Sequence, residues 1–305
     1  MTIPLIVVLG VLGTLLGSFG CAQVWRLRAR QLMEDKDEYQ QKKAAGEAVV
    51  KEDYYTSSEL TKLKGLIRPA TQDRSECLHC HHTLAWYDLL PVVSWMALQG
   101  KCRYCRHPIG STELFAEVGL GIVFIVSYLA WPHTLSTVFD VAVFSMWLIA
   151  CVLMLILFIY DTKWSLLPFM INIALIVVAA IFMILSGVAY GFDIWSTTLS
   201  VALLAGLYAV FATFRWAGFG DSILGVGLAL LLVDWKLAFV ALFLANIFGC
   251  LMLLPLYIRK QLHRRLRVPF GPFMILGAFV AMLWGTQLIE WFSLLTSQYL
   301  ISLMV

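Results

Sequence analysis

Long apolar runs separated by short polar breaks fill the chain from residue 113 onward, and one further run opens it. They lie near 3–24, 113–131, 138–160, 168–187, 194–214, 222–233, 236–257 and 271–290, the sixth being short and glycine-containing. A run of about 18 apolar residues is long enough to cross roughly 30 Å of hydrocarbon as a helix. Lipid offers no water to an open sheet edge, so runs of this kind span as helices. The pattern predicts an all-α polytopic membrane protein of about eight transmembrane helices. Composition agrees: of 305 residues, 61% are hydrophobic and 13% charged, and the mean hydropathy is +0.83. A soluble chain of this length carries about twice that share of charge.

The first run lacks a basic leading segment and continues directly into Trp25, Arg26, Arg28 and Arg30. It is expected to be a retained helix with its N-terminus outside, rather than a cleaved signal peptide. With eight spans and that orientation, the inner segments are 25–112, 161–167, 215–221 and 258–270. They hold 21 of the 22 Lys and Arg residues, and only Lys236 lies outside. Short loops contribute to this bias as well as the long one, and short loops are where it orients helices. The net charge of +3 is therefore a mark of topology and gives no reason to expect a nucleic-acid partner.

Three regions are expected: a first transmembrane helix over 1–25, a cytosolic part over 26–112, and a membrane-embedded part over 113–305. Residues 26–75 are charged and read as a solvated helix or extension. Residues 76–112 carry two CxxC pairs, Cys77/Cys80 and Cys102/Cys105, separated by 21 residues. Each pair offers two thiolates from one tight knuckle, and four thiolates complete a closed tetrahedral structural zinc site. Disulfides and a redox role for the pairs are the competing readings, and a reducing cytosol disfavours the first. His79, His81, His82 and His107 are substitute ligands that a four-cysteine shell does not need. Cys21, Cys151 and Cys250 fall in or beside apolar runs and are expected to pack as small hydrophobes.

Two acids stand out in the membrane-embedded part. Asp161 closes the third run in "LILFIYDTKWSLLP", and Asp221 opens the sixth in "GFGDSILG". The charge-derived topology puts both at the inner interface, whereas Asp140, Asp193 and Asp234 map to the outer side. Taken singly, each reads as an acid capping a helix end. Taken as a pair, two carboxylates in a poorly solvated site share a proton, one acting as base toward water and the other polarising a carbonyl. Gly218 and Gly220 would leave backbone open to a close approach by substrate.

At these residues the chain resembles the prepilin peptidases, GxGD-type membrane aspartic proteases of type IV pili and type II secretion. Gly218-Phe219-Gly220-Asp221 is similar to the family's second catalytic motif, and Asp161 with Leu167-Pro168 to its first. "GSFGCAQVWRL" (17–27), "DLLPVVSWMALQGKCRYCRHPI" (88–109) and "VPFGPFMILG" (268–277), with Pro269, Gly271 and Pro272, resemble further family segments in family order. Ile223, Phe169 and Leu78 stand where family members often carry Lys, Asp and Pro. The resemblance implies a bacterial inner-membrane enzyme with Asp161 and Asp221 as catalytic residues. It implies prepilin or pseudopilin substrates with basic leaders, and N-methylation of the new N-terminus with S-adenosylmethionine. Glu117, an acid inside the second run, is the candidate for the methyl-donor site. A membrane thiol-disulfide oxidoreductase and a proton- or cation-coupled transporter are the alternatives from other classes.

Overall fold

A computed structural model of the chain describes residues 3–51, 54–66, 74–191, 193–214, 218–259 and 268–304. Residues 67–73 of the charged extension lie outside the described residues. So do Arg215, Lys260, Arg264, Arg265 and Arg267, on which the charge count partly rests. The chain forms two compact units, 1–125 and 126–305.

In the first unit, helix α1 (Ile3–Ala44) does not stop where its apolar run stops. No glycine or proline lies between Cys21 and Ala45, so the helix continues through the charged stretch until Gly46 turns the chain at φ +81°. The extension is thus a helix, and it has a small core of its own. Ala29 and Leu32 are buried against Leu63 of α2 (Ser57–Leu63), with Trp25, Tyr55, Leu60 and Leu78 around them. Arg28 clasps Glu59 through two bonds of 3.1 and 2.9 Å. Beyond a short helix α3 (Val93–Ala97), helix α4 (Thr112–Leu129) returns and crosses α1 at close quarters. Gly13 and Gly17 make that approach; a Cβ on Gly13 would lie 2.7 Å from the Leu120 carbonyl. Small residues four apart let helix backbones touch where no hydrophobic force distinguishes side chain from lipid.

The second unit holds α5 (Val138–Trp164), α6 (Phe169–Tyr190), α7 (Ile194–Val201), α8 (Leu207–Thr213), α9 (Phe219–Leu232), α10 (Trp235–Ile258) and α11 (Gly271–Met304). Helix α6 shows how an all-apolar helix acquires faces. Asn172, Leu175, Ala179 and Phe182 are buried, while Met170, Ile173, Val177, Ile181, Ile184 and Val188 point outward. Both stripes follow helical spacing, and only packing separates them. Helices α7 and α8 form one apolar stretch, Ile194–Thr213, joined through a wide π turn at Ala202–Gly206. That turn lies against α9: the Ser222 hydroxyl donates to the Ala205 carbonyl at 2.9 Å, and a Cβ on Gly225 would lie 2.7 Å from the Leu204 carbonyl.

Among the described residues, seven helices are long and apolar enough to cross a membrane, and strand pairing is confined to isolated bridges. The chain is an all-helical polytopic membrane protein. The sixth expected span is α9, with 14 residues. At 1.5 Å per residue it reaches about 21 Å, less than the hydrocarbon thickness.

Candidate active site and metal centre

The five aspartates of the membrane region differ in where they sit on their helices. Asp140 closes a capping box with Thr137 at the start of α5, accepting the Thr137 N–H at 2.8 Å. Asp193 caps α7 and Asp234 caps α10, each accepting a first-turn N–H. Asp221 lies in the first turn of α9, where its Oδ2 accepts the Gly218 N–H at 3.0 Å. All four are helix-start acids that complement the positive end of the helix dipole. Asp161 is the exception. It lies in the last turn of α5, where the dipole opposes a negative charge, and it is only 4% exposed. Capping does not account for it.

What holds Asp161 is the start of another helix. The N–H of Gly271, the first residue of α11, donates to Asp161 Oδ2 at 2.9 Å. The approach depends on glycine, because a Cβ at 271 would lie 2.7 Å from that oxygen. Pro272 follows, at a helix start where a missing N–H costs nothing. Pro269 stands two residues before the helix. The α5 end is closed by Ser165 in left-handed conformation, its N–H donating to the Asp161 carbonyl at 2.7 Å. Pro168 then caps α6.

Two helix starts, those of α9 and α11, therefore each present an amide to one carboxylate. The carboxylates themselves, from residues 60 positions apart, lie within electrostatic reach of each other. Leu167 fills the space beside them: a Cβ on Gly220 would lie 3.1 Å from the Leu167 Cβ, and one on Gly271 would lie 3.4 Å from its Cδ2. Gly220 thus serves helix packing, since its open side is occupied by Leu167. Gly218 serves through its N–H, and a Cβ there would meet nothing closer than 3.5 Å.

Two buried polar side chains of the second unit escaped the reading of the sequence. Tyr208, on α8, is 3% exposed, and its hydroxyl has no hydrogen-bond partner among the described residues. Asn172, one turn into α6, is fully buried with both amide atoms unpartnered. An unmade bond at a buried polar group costs about 1–3 kcal/mol. Neither carries a sequence signal, because a Tyr or Asn inside an apolar run looks the same whether it faces lipid or a site.

In the first unit, Glu117 is buried at the α1–α4 crossing. Its Oε2 accepts the Val92 N–H at 2.6 Å, and the Ser18 hydroxyl also bonds to it. One turn earlier, Glu113 accepts the Trp25 indole N–H at 3.1 Å through Oε1, while its buried Oε2 has no partner. Glu113 was not foreseen.

The four cysteines of the two CxxC pairs meet. Their Sγ atoms all lie within 4.8 Å of one another. The two knuckles are copies displaced by 25 residues: Cys77 N–H bonds to the His82 carbonyl as Cys102 N–H does to that of His107. Bridges Glu76–Thr83 and Lys101–Pro108 correspond, as do the left-handed residues His81 and Arg106. The copies face each other about an approximate two-fold, so that His79 stacks on His107 at 3.9 Å and His82 packs, tilted, on Tyr104 at 3.7 Å. Each histidine near the cluster is therefore engaged in the knuckle or its stacking. Cys77 and Cys105 Sγ are 3.9 Å apart. Tetrahedral Zn–S bonds of about 2.3 Å put sulfurs about 3.8 Å apart, whereas a disulfide needs about 2.05 Å. All four are free thiols, so the geometry fits a metal. Burial works against ionisation at Cys102, but the backbone N–H groups of Cys105 and Tyr104, together with the neighbouring Cys77 and Cys105 thiols, outweigh it and bring its thiol down to about 7. Of the remaining cysteines, Cys21 and Cys151 are buried and Cys250 is exposed on α10.

Residues 11–131 match the family model described as the bacterial peptidase A24 N-terminal domain. The chain is similar to the "Prepilin leader peptidase/N-methyltransferase" of Aeromonas hydrophila, 27% identical over 223 residues, covering 72% of this chain and 74% of the relative. Proteins of the same name from Dichelobacter nodosus (27% over 290 residues, 92% and 91%) and Pseudomonas putida (26% over 296 residues, 91% and 90%) are similar over nearly the whole length. No solved structure matches the chain.

Proposed function

We propose that this chain, which matches the bacterial peptidase A24 N-terminal domain over residues 11–131 and is similar over most of its length to proteins named prepilin leader peptidase/N-methyltransferase, removes the basic leader of a prepilin or pseudopilin with an Asp161–Asp221 dyad. The observation that carries the reading is Asp161: a buried acid in a helix's last turn, held by the first amide of another helix and within electrostatic reach of a second buried acid. With Oδ2 of each carboxylate anchored by an amide, one carboxylate takes a proton from a shared water as that water attacks the scissile carbonyl. The other, protonated, polarises the carbonyl oxygen and then gives its proton to the leaving nitrogen. No metal takes part at the dyad.

The four cysteines hold zinc in this reading, as a structural clamp on the segment between α2 and α4. For methyl transfer, the acids at the α1–α4 crossing suit a cationic methyl donor such as S-adenosylmethionine. Glu117 is already bonded to Val92 and Ser18, and the orphaned Oε2 of Glu113 is the atom left to meet a positive charge. When bound, the donor would supply the methyl group to the free amine. The test is incubation of the purified protein with a candidate prepilin and the methyl donor, read by mass. Loss of the leader mass with gain of one methyl group is expected, and an unchanged substrate would count against the reading.

The dyad reading requires the α5–α6 turn and the start of α9 to share one side, and with the charge bias of the loops that side is the cytosol of a multi-pass inner-membrane protein whose N-terminus is outside. Cysteines placed at Lys163 and Phe219 should react with an impermeant thiol reagent from the cytosolic side only, and those at Thr134 and Trp235 from outside only. Labelling of 163 and 219 from opposite sides would separate the two aspartates and sink the dyad.

A further inference from the structure

The start of α9 and the start of α11, each holding one aspartate, are joined by a third buried group that the two-carboxylate scheme does not use. Tyr208 stands two residues beyond the π turn whose Ala205 carbonyl accepts the hydroxyl of Ser222, the neighbour of Asp221. On its other side, the Tyr208 ring packs on Phe270 at 5.4 Å, and Phe270 directly precedes the Gly271 that anchors Asp161. The phenol is thus tied to the support of Asp161 by its packing on Phe270, and to that of Asp221 by its place just after the π turn. It lies within electrostatic reach of Asp221, yet no hydrogen bond joins them, and Oη is buried without a partner. Buried hydroxyls of native proteins almost always have partners. A donor without one, within electrostatic reach of Asp221, is left to meet a group that arrives with the substrate.

We propose that Tyr208 is a third catalytic residue, its hydroxyl donating a hydrogen bond to the scissile carbonyl oxygen as that oxygen gains negative charge. The phenol keeps its proton throughout; water supplies the new oxygen, and the aspartates carry every proton that moves. Such a donor is aimed at charge that develops in the transition state, so it acts on turnover more than on binding. Phenylalanine would fill the same space without the donor.

The inference rests on the dyad reading, and its test separates the two. Full-length Tyr208→Phe in proteoliposomes, assayed with a prepilin, should lose about 10²-fold in kcat with KM little changed. Its thermal unfolding should come no lower than the parent's, since the hydroxyl removed makes no bond in the fold. Its affinity for a prepilin peptide carrying a non-hydrolysable hydroxyl-bearing isostere at the cut should fall, while affinity for the uncut peptide should not. A kcat within twofold of the parent would overturn the proposal, as would a loss accompanied by lowered thermal stability and raised KM, which marks a packing role. If Asp161→Asn and Asp221→Asn are inactive while Tyr208→Phe cleaves normally, only this inference fails. If the aspartate variants still cleave, the dyad itself is wrong.

Discussion

Asp161→Asn and Asp221→Asn should each abolish leader removal, with kcat falling by roughly 10⁴-fold or more, while the protein still inserts and folds. The size follows from groups that act as a unit: removing one member costs nearly as much as removing all. The fold survives because the amide side chain keeps an oxygen for the same donor. Gly271 N–H, now 2.9 Å from Asp161 Oδ2, and Gly218 N–H, now 3.0 Å from Asp221 Oδ2, would each still find an acceptor. What is lost is the proton traffic alone. Cleavage assays on the two purified variants, with helical content and thermal unfolding measured beside them, check this. Near-parental cleavage by either variant would remove that residue from the chemistry.

The second large effect concerns the cysteine cluster. Protein purified under reducing conditions should carry about one zinc per chain, and Cys102→Ser should remove most of it. Cys102 is 2% exposed and lies at the start of the second knuckle, so its loss breaks the shell from inside. Structural zinc contributes roughly 10–16 kcal/mol of apparent binding free energy in small domains, and most of that is folding energy. The described segment between α2 and α4 has only isolated bridges and short helices to order it. Without metal it should become a site of rapid proteolysis, and all four thiols should alkylate. Metal analysis by plasma emission and limited proteolysis read these outcomes. A metal-free protein with an intramolecular disulfide in cells would favour the thiol-oxidoreductase alternative.

Much of this protein is set by composition and order along the chain. Apolar run length alone predicted eight spans, and seven of them are helices long and apolar enough to cross, because crossing hydrocarbon is a requirement on consecutive residues and needs no partner. The knuckles were legible for a similar reason: a CxxC pair is a local device, and two of them leave few ways to satisfy four thiolates. The charged stretch after residue 25 could have been a helix or a loop on its pattern. It became the continuation of α1 to Ala44 because no breaker interrupts it and α2 gives Ala29 and Leu32 something to bury against.

The site was legible only as separate residues. Sequence placed Asp161 and Asp221 at the same membrane depth, but depth says nothing about distance within the plane of the membrane. Helix packing decided that, and with it the assignment of Asp161 to the start of α11, 110 residues away. Packing also reassigned Gly220 from an open path for substrate to a contact surface for Leu167. It exposed Glu113, Asn172 and Tyr208 as buried polar groups with unmade bonds. Apolar side chains suit lipid and protein interior alike, so hydropathy cannot tell which face of an all-apolar helix turns inward. Only the three-dimensional arrangement of helices separates a polar atom facing solvent or lipid from one buried without a partner.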